Sequence, residues 1–298
     1  MPTPDEFDRH RPALFGLAYR MLGSVMDAED IVQEAFLRWQ NAPAREIRSP
    51  RAYLMTVVTR LCVDQLRLAR SQREEYVGAW LPEPLLQSGE SDPAQQVELG
   101  ESISTAFLVL LENLSPLDRA VFLLHEVFNY TFAEIAEIVD RTPEDCRQIG
   151  SRARQRLLRN KPRFEVETET LEAIAQQFLR ACTGNNISQL LALLAPDVRL
   201  VTDSGGKVKA ARNVLIGPDR TSRFMLGVFR RWPAITACIM KVNGQPAMVE
   251  SFDGQVTCVT SFDVRDGRIR AIYRVLNPDK LKSLARSAAQ AGEYPHRR

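Results

Sequence analysis

Between Thr142 and Lys161, arginines and amides recur at intervals that gather them on one side of a helix. Arg147, Ser151 and Arg154 follow one row, and Gln148, Arg152 and Gln155 the adjacent row. Cys146, Gly150, Ala153 and Leu157, spaced four, three and four apart, make the narrow apolar face that packs inward. Guanidinium forks, amides and hydroxyls are the groups that bind phosphate oxygens and read guanine and adenine edges. A second set of donors lies on the segment after Ser49-Pro50. There Thr56, Thr59, Arg60, Asp64, Arg67 and Arg70 fall away from an apolar stripe of Leu54, Val57, Val58 and Leu61. A third set has the opposite sign: Asp27, Glu29, Asp30 and Glu34, with Gln33 among them. Carboxylates repel a polyanion, but they stabilise a helix N-terminus and suit docking onto a basic protein surface.

The charge pattern along the chain strengthens the first two readings. A net charge of +2 over 298 residues hides segregation of the signs. Arg45 to Arg73 holds seven basic and two acidic residues, Glu74 to Asp140 one basic and thirteen acidic, and Arg141 to Arg163 eight basic and two acidic. Two cationic islands therefore flank an acidic stretch, a distribution suited to nucleic acid. With 45% hydrophobic and 26% charged residues the composition is that of a globular protein, and its length predicts two or three domains. No apolar run is long enough to span a bilayer, and the acidic start does not resemble a secretory signal. Cys62, Cys146, Cys182, Cys238 and Cys258 are odd in number and form no Cys-x-x-Cys pair, which argues against a disulfide framework or zinc site. A reducing cytoplasm is the expected location.

The elements that must hold these groups are marked by caps. Ser115-Pro116 with Asp118 opens one helix, Thr131 with Glu134 forms a capping box for a short second helix ending near Asp140, and Thr142-Pro143 with Glu144 and Asp145 starts the third. Three helices on tight turns predict a helix-turn-helix whose last helix presents Arg147, Gln148, Ser151, Arg152 and Arg154 to a major groove. Gly23-Ser24 separates two earlier helices, and Ser49-Pro50 begins one running to about Arg70. Residues 74 to 97, rich in proline and small polar residues, read as a linker. A further boundary falls near Lys161-Pro162. Beyond it one helix precedes short β-branched runs at Asp197 to Thr202, Ile235 to Val242, Ala247 to Phe252, Gln255 to Val264 and Arg268 to Leu276. Turns at Asn243-Gly244, Asp253-Gly254 and Asp266-Gly267 predict hairpins, hence helices on an antiparallel sheet.

These residues resemble regions two and four of bacterial extracytoplasmic-function RNA polymerase sigma factors. The resemblance rests on YRMLGSVMDAEDIVQEAFLRW, SPRAYLMTVVTRLCVDQLR and the helix-turn-helix, and covers roughly Phe7 to Pro162. Trp80-Leu81-Pro82-Glu83-Pro84, Asp203-Ser204-Gly205-Gly206-Lys207 and Asn277-Pro278-Asp279-Lys280-Leu281 are similar to signatures of the SigJ-type subgroup, which carries a C-terminal SnoaL-like domain. The implied fold is multidomain. All-α region two spans 1–73, the linker 74–97 and all-α region four 98–163; an α+β, cone-shaped SnoaL-like domain spans 164–285, with a tail at 286–298.

The resemblance implies a transcription initiation factor, with core RNA polymerase and promoter DNA as partners and no membrane segment. It places polymerase docking on Asp27, Glu29, Asp30, Gln33 and Glu34, minus-ten contacts on Arg60 and Arg67, and minus-thirty-five contacts on the last helix of the helix-turn-helix. Tyr53, Arg60 and Ser204 depart from residues common among relatives, so promoter sequence does not transfer. The three signatures, including Asp203, Gly205, Gly206 and Lys207, imply a regulatory extension contacting the sigma domains and setting activity in cis. SnoaL-like relatives also include cyclases and isomerases, so an enzyme or ligand sensor is the competing reading for this domain. Because this domain has no histidine before His296 in the tail, Asp203, Asp219, Asp253 and Asp263 are its available bases. Asp253 and Asp266 fit turn formation better, and Met225, Phe229 and Trp232 fit a core. No acid–base pair, cofactor or metal ligand set is expected.

Overall fold

The computed structural model describes residues 3–43, 47, 49–74, 76–86, 103–158, 167–282 and 284, with side chains described in α3 only as far as residue 68. The Arg70 side chain, the linker from residue 87 to 102, the Lys161-Pro162 junction and the tail lie outside this description. The chain divides into two compact units. The first comprises Met1–Glu74, Asp92–Ile103 and Phe107–Lys161; the second comprises Glu75–Ser91, Ser104–Ala106 and Pro162–Arg298.

The helices of the first unit are α1 (Pro4–Leu22), α2 (Val25–Gln40), α3 (Pro50–Glu74), α4 (Thr105–Leu111, whose first two residues belong to the other unit), α5 (Pro116–Glu126), α6 (Phe132–Val139) and α7 (Pro143–Leu158). Gly23 ends α1 in the left-handed conformation at φ 68°, and the Ser24 hydroxyl accepts from the Asp27 amide to start α2. On α3 the buried side runs through Leu54, Met55, Val58, Thr59, Cys62 and Leu66. Thr59, expected among the exposed donors, is instead fully buried and donates to the Met55 carbonyl at 2.7 Å. The helix rotates toward Met55 and Cys62 because α3 packs on more than one neighbour, namely α1, α2, α5 and α6.

The second unit holds α8 (Thr168–Thr183), α9 (Ile187–Leu193) and α10 (Pro218–Arg231) against a six-stranded sheet. Its strands are β1 (Leu194–Asp203), β2 (Leu215–Ile216), β3 (Thr236–Val242), β4 (Gln245–Phe252), β5 (Gln255–Arg265) and β6 (Arg268–Val275), in the order β2-β1-β6-β5-β4-β3. All neighbours are antiparallel except β1 and β6, which run parallel, so the sheet is mixed where an antiparallel one was expected. Local hairpin signals cannot reveal a pairing between strands this far apart in sequence. Asn243, Asp253 and Asp266 all have φ near 50° and each precedes a glycine with φ above 70°, the twisted two-residue turn that suits tight hairpins. Register shifts at Glu250/Ser251 and Asp263/Val264 bend the sheet. The core between sheet and helices is apolar: Phe178, Leu190, Leu200, Met225, Met248, Phe262 and Ile272 fill it.

Candidate nucleic-acid interface and linker latch

In the first unit, α6 is held by the reciprocal cap its sequence predicts. The Thr131 amide donates to Glu134 Oε2 at 2.8 Å, and the Glu134 amide donates to Thr131 Oγ1 at 3.3 Å. Asp140 at φ 54° turns the chain, and Thr142 Oγ1 accepts from the Asp145 amide to start α7. Cys146, Ile149, Ala153 and Leu157 are buried, with Gly150 partly so. A Cβ on Gly150 would come within 3.1 Å of the Phe132 ring, so the glycine lets α6 and α7 approach. On the other side Arg147, Gln148, Ser151, Arg152 and Arg154 are all exposed. Arg147 bonds Glu144 at 2.5 Å within the helix, and Arg154 lies 3.8 Å from Glu126.

The other predicted cations and acids occupy varied environments. Arg67 is exposed, 3.5 Å from Asp64. Arg60 is engaged: its Nε donates to the Ile138 carbonyl at 2.9 Å and its Nη2 to the Glu137 carbonyl at 3.3 Å, both at the C-terminal end of α6, where helix carbonyls lack internal partners. Buried Arg119 on α5 makes the corresponding link to α1, donating to the Met21 carbonyl at 2.5 Å and to Glu112 at 2.8 Å. On α2, Glu29 accepts from Arg11 at 2.7 Å and Glu34 from Arg38 at 2.8 Å, Asp27 is half-buried, and Asp30 and Gln33 are exposed.

The second unit brings the three signature stretches together around one fully buried carboxylate. Asp203 ends β1 with both side-chain oxygens occupied. Oδ1 accepts from the Tyr76 hydroxyl at 2.5 Å and the Gly205 amide at 3.1 Å; Oδ2 accepts from the Leu81 amide at 2.9 Å and Lys280 Nζ at 2.7 Å. Lys280 also donates to the Leu81 carbonyl at 2.5 Å and sits 4.1 Å from the Trp80 ring centroid and 5.3 Å from that of Tyr76, a cation held on aromatic faces. Asn277 donates from Nδ2 to the Tyr76 hydroxyl at 3.0 Å, while its Oδ1 accepts from the Asp279 amide at 3.1 Å and caps the short 3-10 turn Pro278–Leu281. Burial first, and then the Asp203 hydrogen bond, pushes the Tyr76 phenol above its ordinary pKa.

The glycines fit the same geometry. Gly205 has φ +56° and a Cβ there would overlap the Asn277 amide; Gly206 has φ +72° and a Cβ would lie 3.0 Å from Val77. Lys207 pairs with Asp279, which also accepts from Lys282 at 2.9 Å. Leu81, Pro82, Glu83 and Pro84 are buried, Trp80 half-buried and Leu281 buried. Beyond them Leu85 exchanges bonds with Asn243, amide to Oδ1 at 2.7 Å and carbonyl from amide at 2.8 Å, and Leu86 bridges to Val242. Tyr76 was not singled out by sequence and Asn243 only as a turn residue, since a lone tyrosine and an Asn-Gly turn each have simpler local explanations. The Asn243 turn provides both hairpin and anchor.

The remaining aspartates have other partners or positions. Asp219 pairs with Arg223 on the surface, Asp263 pairs with Arg265, and Asp253 occupies its turn. The buried carboxylate facing the inner side of the sheet is Glu250, which sequence reading missed. Arg274 Nη2 donates to both of its oxygens at 2.8 Å and to Cys258 Sγ at 3.3 Å, and Arg274 Nη1 lies 2.8 Å from Met225 Sδ. Such a pair across β4 and β6 depends on the register of strands that are not neighbours. Burial raises the Cys258 and Cys182 thiols to about 12. Among the described residues no group of three or more His, Cys, Asp or Glu could hold a metal ion, and no helix is long and apolar enough to cross a membrane.

A capped helix-turn-helix bearing an exposed cationic helix, packed with a second all-helical region and followed by an α+β domain, defines a promoter-recognition protein of the sigma class. The Sigma-70 region 2 model matches residues 7–72, and the Sigma-70, region 4 model matches residues 104–157. The chain belongs to the extracytoplasmic-function (ECF) RNA polymerase sigma factors. The ECF RNA polymerase sigma factor SigJ of Mycobacterium tuberculosis is 36% identical over 93% of this chain and 92% of its own length. The protein described as "Probable ECF RNA polymerase sigma factor SigI" from the same species is 32% identical over 95% of this chain and 96% of its own. The crystal structure of M. tuberculosis SigJ superposes with a TM-score of 0.77 at 35% identity, covering 94% of this chain and 99% of that one. The C-terminal unit is accordingly an α+β domain carried on a sigma factor, within the 94% of the chain that the SigJ superposition covers.

Proposed function

We propose that this sigma factor binds core RNA polymerase through α2 and reads promoter DNA through α3 and α7, and that its C-terminal domain sets its activity in cis by gripping the linker between the two DNA-reading regions. The observation that carries the promoter reading is the exposed row of Arg147, Gln148, Ser151 and Arg152 on a helix whose opposite side is fixed to its partner helices. Exposed Glu29, Asp30 and Gln33, with the partly buried Asp27 and Glu34, are the groups of α2 offered to polymerase. Arg60 and Arg67 serve the minus-ten strand, where captured bases and neutralised phosphates offset the stacking lost on opening. Engagement of Arg60 by the α6 carbonyls supports a free form in which this contact is withheld until polymerase separates the regions. Action on polymerase places the protein in the cytoplasm.

The regulatory reading is supported by the Asp203–Lys280 latch, which builds Tyr76 to Leu86 into the C-terminal unit. The domain is read as a regulator, because Asp203, the buried member of the aspartates offered by the sequence, is engaged in the latch. In promoter-directed transcription, Arg152→Ala is expected to lower output by about five-fold or more with core binding intact, since a good bidentate base contact is worth about 1–3 kcal/mol. Lys280→Met, which opens the latch, is expected to change output from the same promoter with Arg152 intact. Parallel loss of core binding by Arg152→Ala refutes the DNA assignment, and unchanged output from Lys280→Met refutes regulation through the latch.

A further inference from the structure

The C-terminal unit carries a second cationic surface that neither the sigma regions nor the latch uses. Lys209 to Trp232, leaving out Lys207 that pairs with Asp279, holds six basic residues and one acidic residue, a local charge of +5 in a chain whose total is +2. Lys209, Arg212, Arg220, Arg230 and Arg231 are exposed, and none of them has a carboxylate within ion-pair distance among the described residues. Arg223 is exposed and paired only with Asp219, at 3.0 Å within α10. The arginines are ordered by the helix: Arg220 and Arg231 stand three turns apart and Arg223 and Arg230 two turns apart, on one side of α10. Thr221, Ser222 and Met225 are buried on the opposite side. Gly227 falls between the arginines with nothing near the place a Cβ would take, so the middle of this face is flat and open. The Thr202 hydroxyl bonds the Ala211 carbonyl, and β2 pairs with β1 just before α10, which puts Lys209 and Arg212 at the same sheet edge.

We infer that this face of α10, with Lys209 and Arg212, binds the sugar-phosphate backbone of duplex DNA as a third, sequence-independent contact. A row about 17 Å long in which Arg220, Arg230 and Arg231 have no carboxylate partner among the described residues is complementary to a polyanion of one charge per ~1.7 Å of duplex axis. An anionic lipid surface fits less well, because a membrane-seeking helix must offer its apolar side, and that side of α10 lies in the domain core. The sigma reading enters only in the choice of DNA as the polyanion.

The test uses the full chain without polymerase and a fluorescent non-promoter duplex, with binding measured across a salt series. Arg220→Gln/Arg230→Gln/Arg231→Gln, all exposed positions, is expected to weaken binding about ten-fold at moderate salt and to make the slope of log K against log salt shallower by about 2–3. Asp219→Asn, which frees Arg223, is expected to steepen the slope by about 1. Slopes unchanged by both variants overturn the assignment, whether or not the triple variant loses binding to phosphatidylserine vesicles, a loss that would identify lipid as the occupant. Arg152→Ala holoenzyme is assayed separately for promoter-directed transcription. Its failure to lower output counts against the sigma-site assignment and leaves the slope difference to decide this surface.

Discussion

A buried ion pair is stabilising only relative to a broken one, and that distinction governs both charged sites in the C-terminal domain. Glu250 and Arg274 are each almost wholly out of solvent, and removing either leaves its partner charged in an apolar core. Arg274→Met or Glu250→Leu alone is expected to cost about 3–5 kcal/mol, and the two together much less, because well-packed apolar replacements are often neutral. Chemical denaturation of the three variants checks this through their coupling energy. The Asp203–Lys280 pair follows the same rule and has the added function of holding the linker. At the rim of the latch, hydrogen bonds from Lys207 and then Lys282 hold the Asp279 carboxyl down at about 2. Its carboxylate is favoured by the fold, so this contribution is fully present above the ordinary aspartate range near pH 4 and disappears as pH falls toward 2. Asp279→Asn is expected to flatten the acid limb of the melting-temperature profile between those values and to leave the neutral limb's slope unchanged.

At the scale of elements, local chemistry was legible where it was self-contained. The caps at Ser24, Ser115, Thr131 and Thr142 and the turns at Asn243, Asp253 and Asp266 all form as their sequences require, because each is completed within four residues. Thr131→Ala is expected to lose about 1 kcal/mol and to loosen the approach of α6 to α7, read as a lower denaturant midpoint with an unchanged slope. Features that depend on distant partners were not legible. The parallel pairing of β1 with β6, the burial of Thr59 and the meeting of Glu250 with Arg274 arise from tertiary packing that no local period encodes. The signature stretches were visible as motifs, yet the residue that joins two of them, Tyr76, lies just outside all three.

On the scale of the molecule, the two sigma regions form a single helical unit with Arg60 and Arg119 as cross-links between them. Both donate to helix-terminal carbonyls, groups that otherwise need water, so the packing satisfies backbone acceptors while it engages a predicted DNA contact. Arg119→Met removes one link from a buried site and is expected to lower the melting temperature of the free chain. It is also expected to raise that chain's affinity for minus-ten single strand, measured by fluorescence anisotropy, by releasing the Arg60 guanidinium from the α6 carbonyls. Unchanged affinity would show that these hydrogen bonds do not withhold that arginine. The latch has a different consequence, for exchange of domains between relatives. Its donors and acceptors come from residues 76–81, 203–205 and 277–280, so a chimera cut at the boundary before α8 would inherit Asp203 and Lys280 from one parent and Tyr76 and Leu81 from the other. The C-terminal domain is portable only when the segment between α3 and Leu86 is grafted with it.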